Sequence, residues 1–489
     1  MISPRTGWTR RSRRIVAGLA IAAIAAGSAW TISKTQPGSD HPQPLPTESQ
    51  PLFGFGPPLD HEATGTTAAA GAGAVEAAHG LDVSLVSDKV GEDADMIALW
   101  PDSSSPAWAI ICNEVDGSEG GAAASVQRVR LSDGHVEDMI SGLRSCDPAT
   151  RTPWGTVTVA EEAGISGRLY EILDPLSVSG VTVDRVTGVT SDPDHVIARK
   201  ALGQLSFEGV VFLPDGTVYY SDELRPSNGK PGGGIYKFVP TTPHAGGAIN
   251  VLDDSPLVAG SVSVLRVGAP GGSVDDLGQG PSTGTGTWAP LTTPADPSTF
   301  KLAAAAIAAG GYTGFYRPED MDLDPAAFDR GKRRMCWNNT GNDAEERWGE
   351  TLCLTDAPTS DTTFPGGFAP VVEPFVIGNE HLRMPDNLDF QPHTGVLYIL
   401  MDATTSAKDP SRTNDQVWAC LPDGEDPDTL SDGCVRVLNS LDGRAEWTGI
   451  QFLADGKSFL INHMHRTQHG RAVEGTTDML RVSGFDVKG

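Results

Sequence analysis

At 489 residues the chain is long enough for one large all-β domain or two to three ordinary ones. Its 57 glycines and 36 prolines, with hardly any long apolar helical period, favour many short strands joined by turns. A net charge of −27 weighs against nucleic acid or anionic lipid as partners and suits divalent cations, although acidic excess also simply keeps an exported protein soluble.

Residues 1–29 read as an export signal peptide: a basic start (Arg5, Arg10, Arg11, Arg13, Arg14), an apolar run over 15–26, and Gly27-Ser28-Ala29 as a small-residue cleavage site. The run is short for a membrane span, so no stable span is expected after cleavage, with an uncleaved anchor as the alternative. The stretch 10–16 resembles a twin-arginine signal, which carries folded chains to a secreted or cell-surface location. Residues 30–80, rich in Pro, Gly and Ala, read as a flexible linker or an extended N-terminal strap.

From residue 81 to 489 one theme repeats: an apolar strand, a tight turn, and a second strand ending in polar residues. The clearest copies cover 208–222, 385–402 and 446–462, with fainter ones around 108–114, 157–161 and 317–339. Six copies at a spacing of about 50 to 65 residues predict an all-β, six-bladed propeller. Residues 240–293, dominated by Gly, Ser, Pro and Thr, read as insertions containing a strand at 262–267. A short helix is predicted over 298–309, between Asp296-Pro297 and Gly310-Gly311. The even cysteine count in an exported chain predicts disulfides, and sequence neighbours pair Cys112 with Cys146, Cys336 with Cys353, and Cys420 with Cys434. No CxxC zinc spacing occurs.

A carboxylate opens the first strand of several copies (Glu208, Glu319, Asp386, Glu446), and a polar group often closes the following strand (Glu114, Glu161, Asp222, Asn339, Asp402, His463). In a propeller these positions converge on one end of the central channel. Ionised carboxylates cannot crowd there unless protons or cations neutralise them, and hard oxygen ligands select Ca²⁺ or Mg²⁺. The competing reading of any single acid is a turn cap. Within Arg317-Pro318-Glu319-Asp320 proline fixes the backbone between a guanidinium and a carboxylate, one way to hold an anion-binding arginine beside a metal ligand. Asp320, Asp322 and Asp324 then share one strand face, which alone would suit a solvated edge.

These residues resemble the PhoX family of secreted alkaline phosphatases. The resemblance rests on Pro153-Trp154-Gly155-Thr156 followed by Glu161-Glu162, on Glu208-Gly209 with the strand end Ser221-Asp222-Glu223, on Arg317-Pro318-Glu319-Asp320, on Pro385-Asp386-Asn387, and on Glu446-Trp447-Thr448-Gly449 with Asp455-Gly456-Lys457, in family order over about residues 110–470. It implies a six-bladed propeller using calcium with iron. It further implies Glu161, Glu162, Glu208, Asp222, Glu319, Asp386 and Glu446 as metal ligands, with Arg317 gripping the phosphoryl oxygens. Three positions depart from the pattern: Ala160 stands where the family places an iron-binding cysteine, Ser221-Asp222-Glu223 where it reads Thr-Glu-Asp, and Asn113 where a histidine precedes Glu114. Loss of the thiolate leaves an oxygen-rich site, so Ca²⁺ is expected rather than Fe³⁺.

The expected chemistry is metal-assisted hydrolysis of a small phosphoester by a monomer, with cations and Arg317 neutralising the transferring group and His463 and His465 protonating the leaving group. For the histidines, exposed loop positions are the alternative. Two other readings are a calcium-dependent lactonase-like propeller, which needs no phosphate-gripping arginine, and a non-catalytic exported propeller, supported by Ala160. No P-loop or His-Glu-x-x-His occurs.

Overall fold

The computed structural model describes residues 52–487 apart from 68, 92, 116–122, 227–230, 268–279, 281, 343–344, 357–368, 404–412, 425–426, 466, 469–470 and 473–476. The export signal expected over 1–29 lies outside the described residues, and among these no helix is long and apolar enough to cross a membrane.

Alternating strands separated by turn residues fold into antiparallel meanders of four strands. Their innermost strands are Ala94–Trp100, Cys146–Arg151, Phe207–Phe212, Pro318–Leu323, Pro385–Phe390 and Glu446–Phe452, which define blades 1 to 6 in that order. Each innermost strand packs against the next and the sixth against the first, so the ring closes. Hydrophobic clusters fill the interfaces between consecutive blades: one holds Met139 and Tyr170 between blades 1 and 2, another Trp154 and Phe238 between blades 2 and 3, and a third Tyr398 and Phe452 between blades 5 and 6. The remaining three interfaces have their own clusters. This is the all-β propeller expected from the repeats. An added strand, Gly284–Pro290, pairs with the outer strands of blades 3 and 4 and joins them into one sheet.

Closure depends on the N-terminal segment. Asp82–Ser87 pairs antiparallel with Asp478–Ser483 and supplies the outer strand of blade 6, while Val75–Ala77 adds to blade 5 along Cys434–Ser440. Phe53 and Phe55 are buried in the cluster between blades 5 and 6. Of the two forms considered for residues 30–80, the described part from 52 onward is a packed strap and not a flexible linker, because its few aromatic residues have apolar surface to cover.

All three disulfides pair as expected, Cys112–Cys146, Cys336–Cys353 and Cys420–Cys434. The predicted helix is shorter than its Ala-rich stretch: a 3₁₀ turn over Pro297–Thr299, capped by Asp296 onto Ser298 N, precedes an α-helix over Leu302–Ala308. Between them the backbone of Phe300 and Leu302 bonds Gln204, and those bonds displace the helical ones.

Blades meet closely at the axis. A Cβ on Gly209 would lie 2.2 Å from Met321 N, so glycine alone lets the inner strands of blades 3 and 4 approach. Asp320 and Asp322 accept the Leu388 and Phe390 amides at 3.1 Å, and Asp389 accepts Phe452 N at 2.5 Å, stapling blades 4, 5 and 6 together. Asp324 caps the helical turn Pro325–Asp329. The acidic face after Arg317 is thus sheltered and not a solvated edge: Asp320 and Asp322 accept backbone N–H groups of the blade 5 strand, and Asp324 caps its own helical turn and pairs with Arg334.

Candidate metal and phosphate site at the propeller axis

The ladders fix which acids point into the channel. In blades 1 to 5 the pairing of the inner strand with its neighbour slips just after its first residue, at Ala94, Cys146, Phe207, Pro318 and Pro385. The residue in each irregularity is acidic: Asp95, Asp147, Glu208, Glu319 and Asp386. In blade 6 the slip comes after Thr448, so the equivalent position is Gly449, with φ +59°, and a Cβ there would lie 2.2 Å from the Asp95 carbonyl oxygen. Glu446 therefore enters the site from three residues earlier in its strand.

A second set follows the second strand of each blade. Asn113, Glu161 and Asp222 pair with Ala94, Cys146 and Phe207, so the next residues, Glu114, Glu162 and Glu223, project on the opposite face, with Asp402 in the corresponding place in blade 5. This one-residue offset separates functional from structural acids. Glu161 accepts the Arg144 and Arg168 amides at 3.1 Å and the Arg185 Nε at 2.7 Å, whereas Asp222 accepts Ser206 N at 3.0 Å. Neither joins the cluster, although the sequence pattern placed both among the ligands. Glu162, Glu208, Glu319, Asp386 and Glu446 do join it.

Carboxylate oxygens within 4.8 Å of one another form three groups: Glu114–Asp147–Glu162, Glu208–Glu319–Asp386, and Asp386–Asp402–Glu446. At an effective dielectric of about 20, two unit charges at that distance repel by about 3–4 kcal/mol. Burial and neighbouring carboxylates hold Asp95, Asp147, Glu208, Glu319, Asp386 and Glu446 well above the usual carboxylate range. Burial likewise pushes Glu114 up to about 7 and Glu162, beside Glu223, to about 11. Asp95 Oδ1 and Asp147 Oδ1 are buried without a hydrogen-bond partner.

Arg317 and His465 face these acids. Arg317, at φ +50°, takes the place before its inner strand that Asp93, Ser145 and Met384 occupy, also with positive φ, in blades 1, 2 and 5. Strained backbone repeated at one level is a feature of functional rims. Its Nε donates to Glu223 and lies 3.0 Å from Glu319, and its Nη1 lies 3.3 Å from Asp402. His465 lies between Asp93 (3.2 Å) and Glu446 (3.6 Å), and its hydrogen bond to Asp93 raises its pKa. His463 is elsewhere: it is fully buried, stacked on Trp447 at 4.3 Å, with Nε2 2.8 Å from Ser440 Oγ. On a continuing strand the two would share a face, but His465 follows the strand end with a left-handed backbone, φ +55°, and lies beside Asp93 at the rim.

The Pro153–Thr156 motif is structural here. Trp154 Nε1 and Thr156 Oγ1 both donate at 2.6 Å to buried Glu171, which also accepts from Arg199 and Ser255. Sequence reasoning missed Asp95, Asp147, Asp93 and the role of Glu223. The available signal was an acid following the first residue of the inner strands of blades 1 to 5, as in Ala94-Asp95 and Cys146-Asp147.

The donor set is carboxylate oxygen throughout, which fits hard cations such as calcium. It does not fit iron held by a thiolate, because all six cysteines are in disulfides and Ala160 packs in the apolar cluster with Trp154 and Leu169.

The fold is that of Pseudomonas fluorescens PhoX in complex with vanadate, a transition state analogue: 16% identity, 87% of this chain and 98% of that one covered, TM-score 0.58. Lower similarity extends to the PQQ-bound aldose sugar dehydrogenase of Streptomyces coelicolor (12%, 82% and 98%, TM-score 0.43) and a gluconolactonase of Xanthomonas campestris (13%, 88% and 98%, TM-score 0.41). No curated protein matches by sequence. The profile of alkaline phosphatase PhoX matches residues 181–466, which include Arg317, both three-oxygen groups of blades 3 to 6, and Glu223. The chain therefore belongs to the PhoX alkaline phosphatase family.

Proposed function

We propose that the protein hydrolyses small phosphoesters outside the cytoplasm, with Ca²⁺ in the carboxylate groups and Arg317 on the phosphoryl oxygens. The observation that carries this reading is the meeting of acids from all six blades at one end of the axis, with three carboxylates engaging Arg317, a concentration of negative charge that bound cations would balance. Bound cations would supply charge neutralisation and a Lewis-acid face for an in-line displacement. The residues that would hold them are Glu114, Asp147 and Glu162 on one side of the channel, and Glu208, Glu319, Asp386, Asp402 and Glu446 on the other. Arg317 binds and orients the dianion through N–H groups in a fixed plane. His465, oriented by Asp93, is the group placed to hold a proton for the leaving oxygen.

Family membership and three disulfides both fit an extracytoplasmic location. The twin-arginine route and a monomeric state belong to the same proposal. A non-catalytic propeller is the second reading, and Ala160 favours it. The test is hydrolysis of p-nitrophenyl phosphate by purified protein at pH 8 with calcium, with chelator, and with Arg317→Ala. Calcium-dependent turnover lost in the variant supports the phosphatase. No turnover with either calcium or ferric iron supports the binding scaffold, and lactone turnover unaffected by Arg317→Ala points to a lactonase.

A further inference from the structure

We propose that Glu223 is the positioning residue that aims Arg317 at the phosphoryl group, an inference that rests on the phosphatase reading above. Three carboxylates from three blades engage the Arg317 guanidinium, and they are not equivalent. Glu319 and Asp402 each belong to a three-oxygen group able to hold a cation, and a carboxylate that turns to a hard cation gives up the arginine. Glu223 belongs to none of those groups, so it remains the arginine's partner with the cations in place.

The local backbone supports this role. The alternation after Ser221 turns Asp222 onto Ser206 N and leaves Glu223 to face the axis. Glu223 N bonds Ser206 O at 3.0 Å, and Leu224 O accepts Arg317 N at 3.2 Å, so both ends of the pair are anchored to one short segment. With Nε held by Glu223, rotation about the last side-chain torsions of Arg317 is restricted, and its terminal N–H groups keep one plane.

The test compares wild type, Glu223→Gln, Glu223→Ala, Arg317→Lys and the double variant Glu223→Ala/Arg317→Lys, all saturated with calcium. Calcium stoichiometry is read by elemental analysis, inorganic phosphate affinity by calorimetry, and kcat and KM on p-nitrophenyl phosphate. Misaiming a binding group by about 1 Å costs on the order of 10²-fold, so Glu223→Ala is expected to lower phosphate affinity and kcat/KM by about 10- to 100-fold with calcium stoichiometry unchanged. Glu223→Gln, which retains an acceptor for Nε, is expected to recover most of that loss. In the Arg317→Lys background Glu223→Ala should add little, because the partner it aims is gone. Loss of a bound calcium in Glu223→Gln would overturn the proposal by making Glu223 a ligand. Phosphate affinity within twofold of wild type in both single Glu223 variants would overturn it directly, as would additive effects in the double variant. If wild type neither binds phosphate nor turns over a phosphoester in calcium, the phosphatase reading falls, and this inference with it.

Discussion

Removing divalent cations with a chelator should make the protein lose stability as pH rises, the reverse of ordinary acid denaturation. Glu114 has a folded-state pKa of about 7 and Glu162 of about 11, both raised from 4.5 by burial first. A raised carboxylate pKa means the folded state keeps a proton that the unfolded chain has released. That stability is complete below about pH 4.5 and is lost as pH climbs through the folded value. Each such proton changes stability by about 1.4 kcal/mol per pH unit. For Glu114 alone the loss between pH 4.5 and 7 is on the order of 3 kcal/mol. Exposed acids with lowered pKa, such as Asp102 and Asp184, act in the opposite direction only near pH 4 and do not disturb the window from pH 5 to 8. One calcium at a thousand times its Kd returns about 4 kcal/mol, but only where the carboxylates are free to ionise. Thermal melts at pH 5, 6, 7 and 8, with chelator or with millimolar calcium, should therefore diverge with increasing pH. One kcal/mol moves Tm by about 2–4 °C in a protein of 150–250 residues and less in a larger one, so the gap at pH 8 should reach several degrees. A chelated Tm that is flat or rising from pH 5 to 8, or a calcium shift no larger at pH 8 than at pH 5, would refute the reasoning.

Adjacent residues should separate structure from site. Glu161→Gln should lower Tm, by a loss of about 3 kcal/mol from disturbing a buried carboxylate that accepts two amides and Arg185, while leaving the calcium-induced shift intact. Glu162→Gln should leave the chelated Tm nearly unchanged at pH 8, since the carboxyl is protonated there, and shrink the calcium-induced shift. Arg317→Ala should reduce kcat/KM on p-nitrophenyl phosphate by about 10²- to 10³-fold with calcium affinity retained, measured by steady-state kinetics and calorimetry. Replacing both Cys420 and Cys434 by alanine should cost about 3 kcal/mol in urea unfolding, the chain-entropy value for a 14-residue separation. Gly449→Ala should prevent folding of the blade 6 edge or lower Tm sharply, because its Cβ would lie 2.2 Å from a backbone oxygen at positive φ.

Strand rhythm, Asp-Gly turns and cysteine spacing are local properties, and the sequence alone determined them: the repeats at 208–222, 385–402 and 446–462 are strand pairs, and each cysteine pairs with its neighbour. The turns behave as their residues require, with Asp215 and Asp455 each accepting the amide two residues on. The family was legible too, because Arg317-Pro318-Glu319-Asp320 and Pro385-Asp386-Asn387 are contiguous motifs. What the sequence could not settle was direction. Glu161 and Glu162 are chemically alike and adjacent, and only the pairing of Cys146 with Glu161 decides that one bonds loop amides while the other faces the axis. His463 and His465, two residues apart, would share a face on a continuing strand, and the left-handed backbone at His465 separates them, one stacked on Trp447 and the other beside Asp93. Asp95 and Asp147 escaped notice because their strands carry weak motifs, and a slip in the ladder, invisible in one dimension, aims them inward. Side chains alternate faces with every residue along a strand, so a pattern that locates a strand to within one residue still leaves its chemistry undecided until the ring closes.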